Sequence, residues 1–184
     1  MFSQKGQESA PFELLIAMIV MGFVIVIGFN ALDRLNGETC KGNLNQNLEQ
    51  LRSGIETVVK NKSKINVSFE LPNCFTEEDS KLRIIERDEL AYCSALCGGS
   101  QAQCTVLQFS SPSYTESKCL RISSATTFPQ EPETCDPRML EPADGYSVAN
   151  WKDPERGIEI GQYTLIRQSN LFSSAPVVCA FKRV

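Results

Sequence analysis

Hydrophobic and polar positions follow three successive regimes along this chain. The first is apolar throughout: from Leu14 to Phe29 no residue is charged, and eleven of the residues are Leu, Ile, Val or Phe. Extended to Pro11 and Leu32, the run reads as a 22-residue helix. Such a helix is about 33 Å long, enough for a hydrocarbon core of about 30 Å. Its apolar side chains favour insertion by roughly 3–7 kcal/mol, against a few kcal/mol for the single carboxylate, Glu13. A buried core helix is usually shorter and interrupted by polar positions, so the expectation is a transmembrane helix in contact with membrane lipid. A cleavable secretory signal would have an apolar stretch of about 7–15 residues followed by an A-x-A-like site. Here the run continues into Phe29-Asn30-Ala31-Leu32. Lys5 is the only base ahead of it, which favours a cytoplasmic N-terminus and export of everything after Asp33.

The second regime begins after a polar break at Asn36-Gly37-Glu38. Leu44, Leu48, Leu51, Ile55 and Val58 recur at helix spacing, predicting a second, amphipathic helix. It either continues the first or folds back on a sheet. Its stripe faces the domain's own core in the simpler reading and a neighbouring subunit in the other.

The third regime has period two. Ile65, Val67, Phe69 and Leu71 alternate with polar residues up to Pro72, the pattern of a half-buried strand. Further strands are expected at Leu82–Glu86, Thr105–Ser110, Cys119–Ser123, Ile158–Arg167 and Pro176–Lys182. A short helix should run from Asp88 as its cap to Cys97 and stop at Gly98-Gly99. Between Phe128 and Pro154 lie five of the nine prolines, predicting a long loop tied down by Cys135 and by Trp151 packing on the core. Strands following a helix give an α+β class: a long hydrophobic helix, then an amphipathic helix packed on a small antiparallel sheet.

Charge narrows the function. From Asp33 onward the chain holds 20 acids and 17 bases, a poor polyanion binder, so nucleic acid is not an expected partner. The chain has no histidine, which removes Ser-His and Cys-His nucleophile pairs, His metal ligands and an imidazole acid or base. All eight cysteines, Cys40, Cys74, Cys93, Cys97, Cys104, Cys119, Cys135 and Cys179, follow the apolar run. Without C-x-x-C or zinc-module spacings they read as up to four disulfides in the exported part, among 105 formal pairings. Cys93 and Cys97 share one helix face, and each is expected to staple that helix to a different neighbour.

What precedes the apolar run is distinctive. Lys5-Gly6-Gln7-Glu8-Ser9, followed directly by a long apolar helix, resembles the class III signal peptide of archaeal type IV pilins. The resemblance covers residues 5 to 32. It implies that a prepilin peptidase cuts between Gly6 and Gln7, and that the helix is retained and packs with copies of itself or other pilins in a filament core. Surface attachment is the role it implies for such filaments. These pilins usually carry a carboxylate four residues after the first mature residue; Pro11 stands there, and Glu13 follows two residues later. Glu13 neutralises the new α-amino group of a neighbouring subunit if the residues through Pro11 are not regular helix or if the partner is offset in register. Otherwise it is a hydrated or protonated carboxylate among the headgroups.

Other chemistry is sparse. Asn61-Lys62-Ser63 and Asn66-Val67-Ser68 are glycosylation acceptor triplets. Glu77-Glu78-Asp79 lacks the alternation of a calcium loop and reads as a solvated turn. Gly98-Gly99-Ser100 lacks phosphate-cradle spacing, and Glu131 with Glu133 is the kind of pair any acidic domain offers. No enzyme activity, cofactor or metal is assigned. The expected organisation is a leader at 1–6, a transmembrane or filament-core helix at 7–35, and an extracellular disulfide-rich head at 36–184. The function expected is a non-enzymatic pilin-like subunit, held in the cytoplasmic membrane before assembly and part of an extracellular filament after it. The alternative is a membrane-anchored extracellular binding domain that never polymerises.

Overall fold

The computed structural model describes residues 10–123, 125–129, 135–136, 140, 145–151, 153, 157–169 and 175–183. The chain divides after Lys41 into two compact units. A single helix, α1 (Ala10–Asn61), runs through both. The polar break expected at Asn36-Gly37-Glu38 is therefore not a break. A lone glycine in a helix interior costs only about 1 kcal/mol relative to alanine, too little to stop propagation once the backbone bonds on both sides are formed. Glu13 in the first turn and Lys60 in the last complement the helix dipole.

In the second unit, the stripe Leu44, Leu48, Leu51, Ile55 and Val58 is buried and belongs to the head's own core. The strands form two antiparallel sheets, not the single sheet expected. One has the order β1-β6-β7-β5, from β1 (Ile65–Phe69), β5 (Tyr146–Val148), β6 (Gly161–Ser169) and β7 (Pro176–Arg183). The other has the order β2-β3-β4, from β2 (Lys81–Arg87), β3 (Cys104–Ser110) and β4 (Thr115–Leu120). Helix α2 (Leu90–Cys97) lies in sequence between β2 and β3.

Strand β7 shows why two cores form. Val178 and Ala180 join the main core, with Leu107, Phe109 and Trp151. Val177, Cys179 and Phe181 join a second core, with Leu140, Ile166 and Cys135. Alternate residues of a strand point to opposite faces, so a near-continuous apolar run is a strand covered on both sides.

Two local expectations need correction. The strand placed at Cys119–Ser123 is β4, four residues earlier, because β3 turns back at once. Ser111 N–H donates to the Tyr114 carbonyl at 2.8 Å, and Ser110 then pairs with Thr115. The polar Thr115-Glu116-Ser117-Lys118 hid this hairpin partner. The cap of α2 is Glu89, not Asp88, and no side chain caps it; Cys93 N–H bonds the Glu89 carbonyl at 2.9 Å. The helix stops where expected, with Gly98 and Gly99 at φ 76° and 77°, a region that favours glycine.

Candidate functional site

From Phe12 to Thr39 every residue of α1 is exposed. A helix satisfies its own backbone, so an apolar exterior leaves only the side chains needing cover. This helix is long and apolar enough to cross a membrane. Glu13 at one end and Asp33 with Arg34 at the other flank the uncharged stretch. Twenty residues separate Glu13 from Asp33, a rise of about 30 Å. Gly22 and Gly28 have open space where a side chain would lie.

Glu13 is exposed and sits in the first turn of α1. Pro11 is inside the helix, in a turn whose N–H groups have no intrahelical acceptor, so its missing donor costs nothing. Gly6 and Gln7 lie outside the described residues, as do Glu131 and Glu133.

All eight cysteines are disulfide-bonded. Cys93 pairs with Cys104 on β3, and Cys97 with Cys119 on β4. The two thiols on one face of α2 thus staple it to two different strands. Cys135 pairs with Cys179, which ties the 128–154 segment to β7. Trp151 anchors the same segment: its indole N–H donates to the Val178 carbonyl at 3.0 Å, and its ring meets Phe128 edge-on at 5.7 Å. Cys40 and Cys74 are likewise oxidised.

Asn61 and Asn66 are both exposed. Asn61 ends α1, followed by Lys62 at φ 54°. Asn66 lies in β1 opposite Thr164; its Oδ1 accepts from the Thr164 hydroxyl at 2.9 Å. Among the described residues, no three His, Cys, Asp or Glu side chains converge as metal ligands.

No protein-family model, curated protein or solved structure matches this chain.

Sequence reasoning missed two features of the head. One is an ion network between α1 and β4. Arg52 lies 3.1 Å from Glu49 and 3.0 Å from Glu56. Lys118 reaches Glu49 at 3.3 Å and Glu116 at 3.1 Å. Glu56 also accepts from the Arg121 backbone N–H at 2.9 Å. Burial pulls the Arg52 pKa down, but hydrogen bonds and charge from Glu56 and Glu49 outweigh it and raise the pKa overall. The other is Tyr163, whose hydroxyl donates to the Glu159 carbonyl. Burial first, and the Glu159 charge second, push its pKa above the ordinary 10.0. Helix spacing signals the Glu49-Arg52-Glu56 triple, at i, i+3 and i+7, but nothing local in sequence signals its link to β4.

Proposed function

We propose that this chain is a non-enzymatic, type IV pilin-like subunit of an archaeal surface filament. On this reading a prepilin peptidase cuts between Gly6 and Gln7. Lipid holds the apolar part of α1 until assembly, and sister helices then replace lipid around it. The head stands outside the cell and serves surface attachment. The observation that carries the reading is the exposed apolar length of α1, set beside a head that buries its own stripe and oxidises its own cysteines. A domain stapled by disulfides belongs in an oxidising compartment, and a helix apolar all round needs lipid or other helices about it. The exposed Asn61 and Asn66 suit sugar attachment in that compartment.

The deciding experiment is the amino-terminal sequence of the chain expressed in an archaeal host that carries a prepilin peptidase. Gln7 as the first residue is expected. An intact Met1, or a new end after Leu32, defeats the reading. Replacing Glu13 by Ala should abolish filaments and leave membrane insertion intact; unchanged filaments would remove the assembly role of the carboxylate. A processed wild-type chain that inserts but never polymerises would instead be the anchored binding domain.

A further inference from the structure

One face of the β1-β6-β7-β5 sheet changes character along its length. Where it carries Ile166, Cys179 and Phe181 it packs against Leu140 and Cys135. Beyond Phe181 it turns polar. Asn66 stands opposite Thr164, and Ser68 opposite Gln162, across β1 and β6; Tyr146 stands opposite Arg183 across β5 and β7. Thr164 is in turn opposite Phe181, so strand alternation puts all six of these side chains on this one face. They line a cleft of about 260 Å³. That is just below the roughly 300–1,000 Å³ of drug-sized sites and suits a single ring.

Three features separate this cleft from an ordinary solvated sheet face. The first is charge: no acid lines it, although acids outnumber bases by 20 to 17 from Asp33 onward. Its one charge is the exposed Arg183, whose guanidinium has no ion-pair partner among the described residues. The second is a fixed donor. The Asn66 Oδ1 accepts from the Thr164 hydroxyl at 2.9 Å, and Thr164 is buried, so the exposed Asn66 amide turns its N–H groups away from Thr164. The third is a fixed ring. Tyr146 is half-buried and held against the second core, directly across from Arg183. Donors and ring are thus set before anything binds, which lowers the ordering cost of binding.

We propose that this cleft binds a sugar ring that carries a carboxylate, a uronic acid. A guanidinium meets a carboxylate through two parallel N–H···O bonds, and the single base of the cleft balances a single negative charge. A phosphate monoester, at about −1.5 to −2, would keep charge unmatched. Sugar hydroxyls both donate and accept, as do the Ser68 hydroxyl and the Gln162 amide. The Tyr146 ring supplies a flat apolar surface for the C–H face of the sugar. The cleft is made by the head alone, so a chain that never polymerises would bind equally well, and the proposal does not rest on the filament reading. It does require an unmodified Asn66, which leaves Asn61 as the acceptor for any attached sugar.

The test uses the full chain, made in a bacterial periplasm so that its cysteines oxidise and its asparagines stay unmodified, and held in phosphatidylcholine nanodiscs. It is titrated with glucuronate and followed by backbone amide and Arg183 side-chain NMR shifts. Saturable shifts at Ser68, Gln162 and Arg183 are expected. Glucose, the ring without the carboxylate, and acetate, the carboxylate without the ring, should each bind at least severalfold more weakly. Arg183→Gln should weaken glucuronate about fivefold, the scale of one exposed ion pair, with Trp151 fluorescence unchanged as evidence of an intact fold. Absence of saturable shifts, glucose or acetate binding as tightly as glucuronate, or undiminished binding by the folded variant would each overturn the proposal. So would mass analysis showing sugar on Asn66 in the native chain.

Discussion

Gly54 tests the packing of α1 on the head most sharply. A Cβ built there would lie 2.5 Å from Val67 Cγ1 on β1 and 3.5 Å from Leu165 Cδ1 on β6. Elsewhere in a helix interior, replacing glycine by alanine gains about 1 kcal/mol. Here the gain is opposed by overpacking, typically about 1–3 kcal/mol. Val67 is β-branched and stiff about χ1, so it does not turn aside freely, and helix and strand must part instead. Gly54→Ala should therefore destabilise the head by about 1 kcal/mol, with the sign opposite to that of helix propensity. Val67→Ala removes the offending methyl and alone should cost about 1–2 kcal/mol. Combined, the two changes should be about 1–2 kcal/mol less damaging than their sum, because the alanine at 54 then fills the space vacated at 67. The assay is urea unfolding of the full chain followed by fluorescence of Trp151, the one tryptophan in the sequence, which is 1% exposed. A stabilising Gly54→Ala, or an additive cycle, would refute the close approach of α1 to β1.

Three further outcomes are expected. Thiol labelling of the native, non-reduced protein should leave all eight cysteines unmodified, while reduction should lower head stability by several kcal/mol, at about 2–4 kcal/mol per bridge; labelling of four or more native cysteines would contradict the bonding. In a spectrophotometric alkaline titration, Tyr163 should ionise above the ordinary tyrosine range. Its folded pKa is raised above the unfolded 10.0, so its contribution is complete below about pH 10 and is lost as pH rises through the folded value; Tyr163→Phe should flatten that alkaline decline in urea midpoints, and an unchanged decline would assign it elsewhere. Glu56→Gln should cost about 1–2 kcal/mol by weakening the Arg52 pair and the acceptor of the Arg121 N–H, and a neutral result would show that water serves both groups equally well.

The parts of this fold legible in the sequence are those in which one periodicity runs long enough to outvote its neighbours. The stripe from Leu44 to Val58 gave its face directly, as did the alternation from Ile65 to Phe69 and the run from Pro176. Where structure is set by pairing with another strand, local pattern fell short. Thr115–Leu120 is a strand because β3 hairpins onto it, and Tyr146–Val148 is one because β7 offers it an edge. Asn36-Gly37-Glu38 misled in the other direction, since turn-forming residues mark a break only when no helix on either side carries the backbone through.

The exposed half of α1 raises a question of energy that bears on assembly. Sixteen large apolar side chains from Phe12 to Leu35 are 46–67% exposed. Full burial of such a side chain gains about 1.5–3 kcal/mol, so covering what remains is worth on the order of 20 kcal/mol. That exceeds the roughly 5–15 kcal/mol by which a domain is ordinarily stable, so the helix must find cover. The hydrophobic effect does not choose the cover, because lipid tails are as apolar as leucine. Under the filament reading, the exchange of lipid for sister helices must be decided by shape along the rod, including the open spaces at Gly22 and Gly28, and by the carboxylate of Glu13. On that reading a carboxylate leaving the headgroup region unpaired loses several kcal/mol of hydration, so Glu13 would oppose assembly until an α-amino group meets it and would then favour it. Under the filament reading the same residue would therefore work against a helix packed in the wrong register and for one packed in the right register.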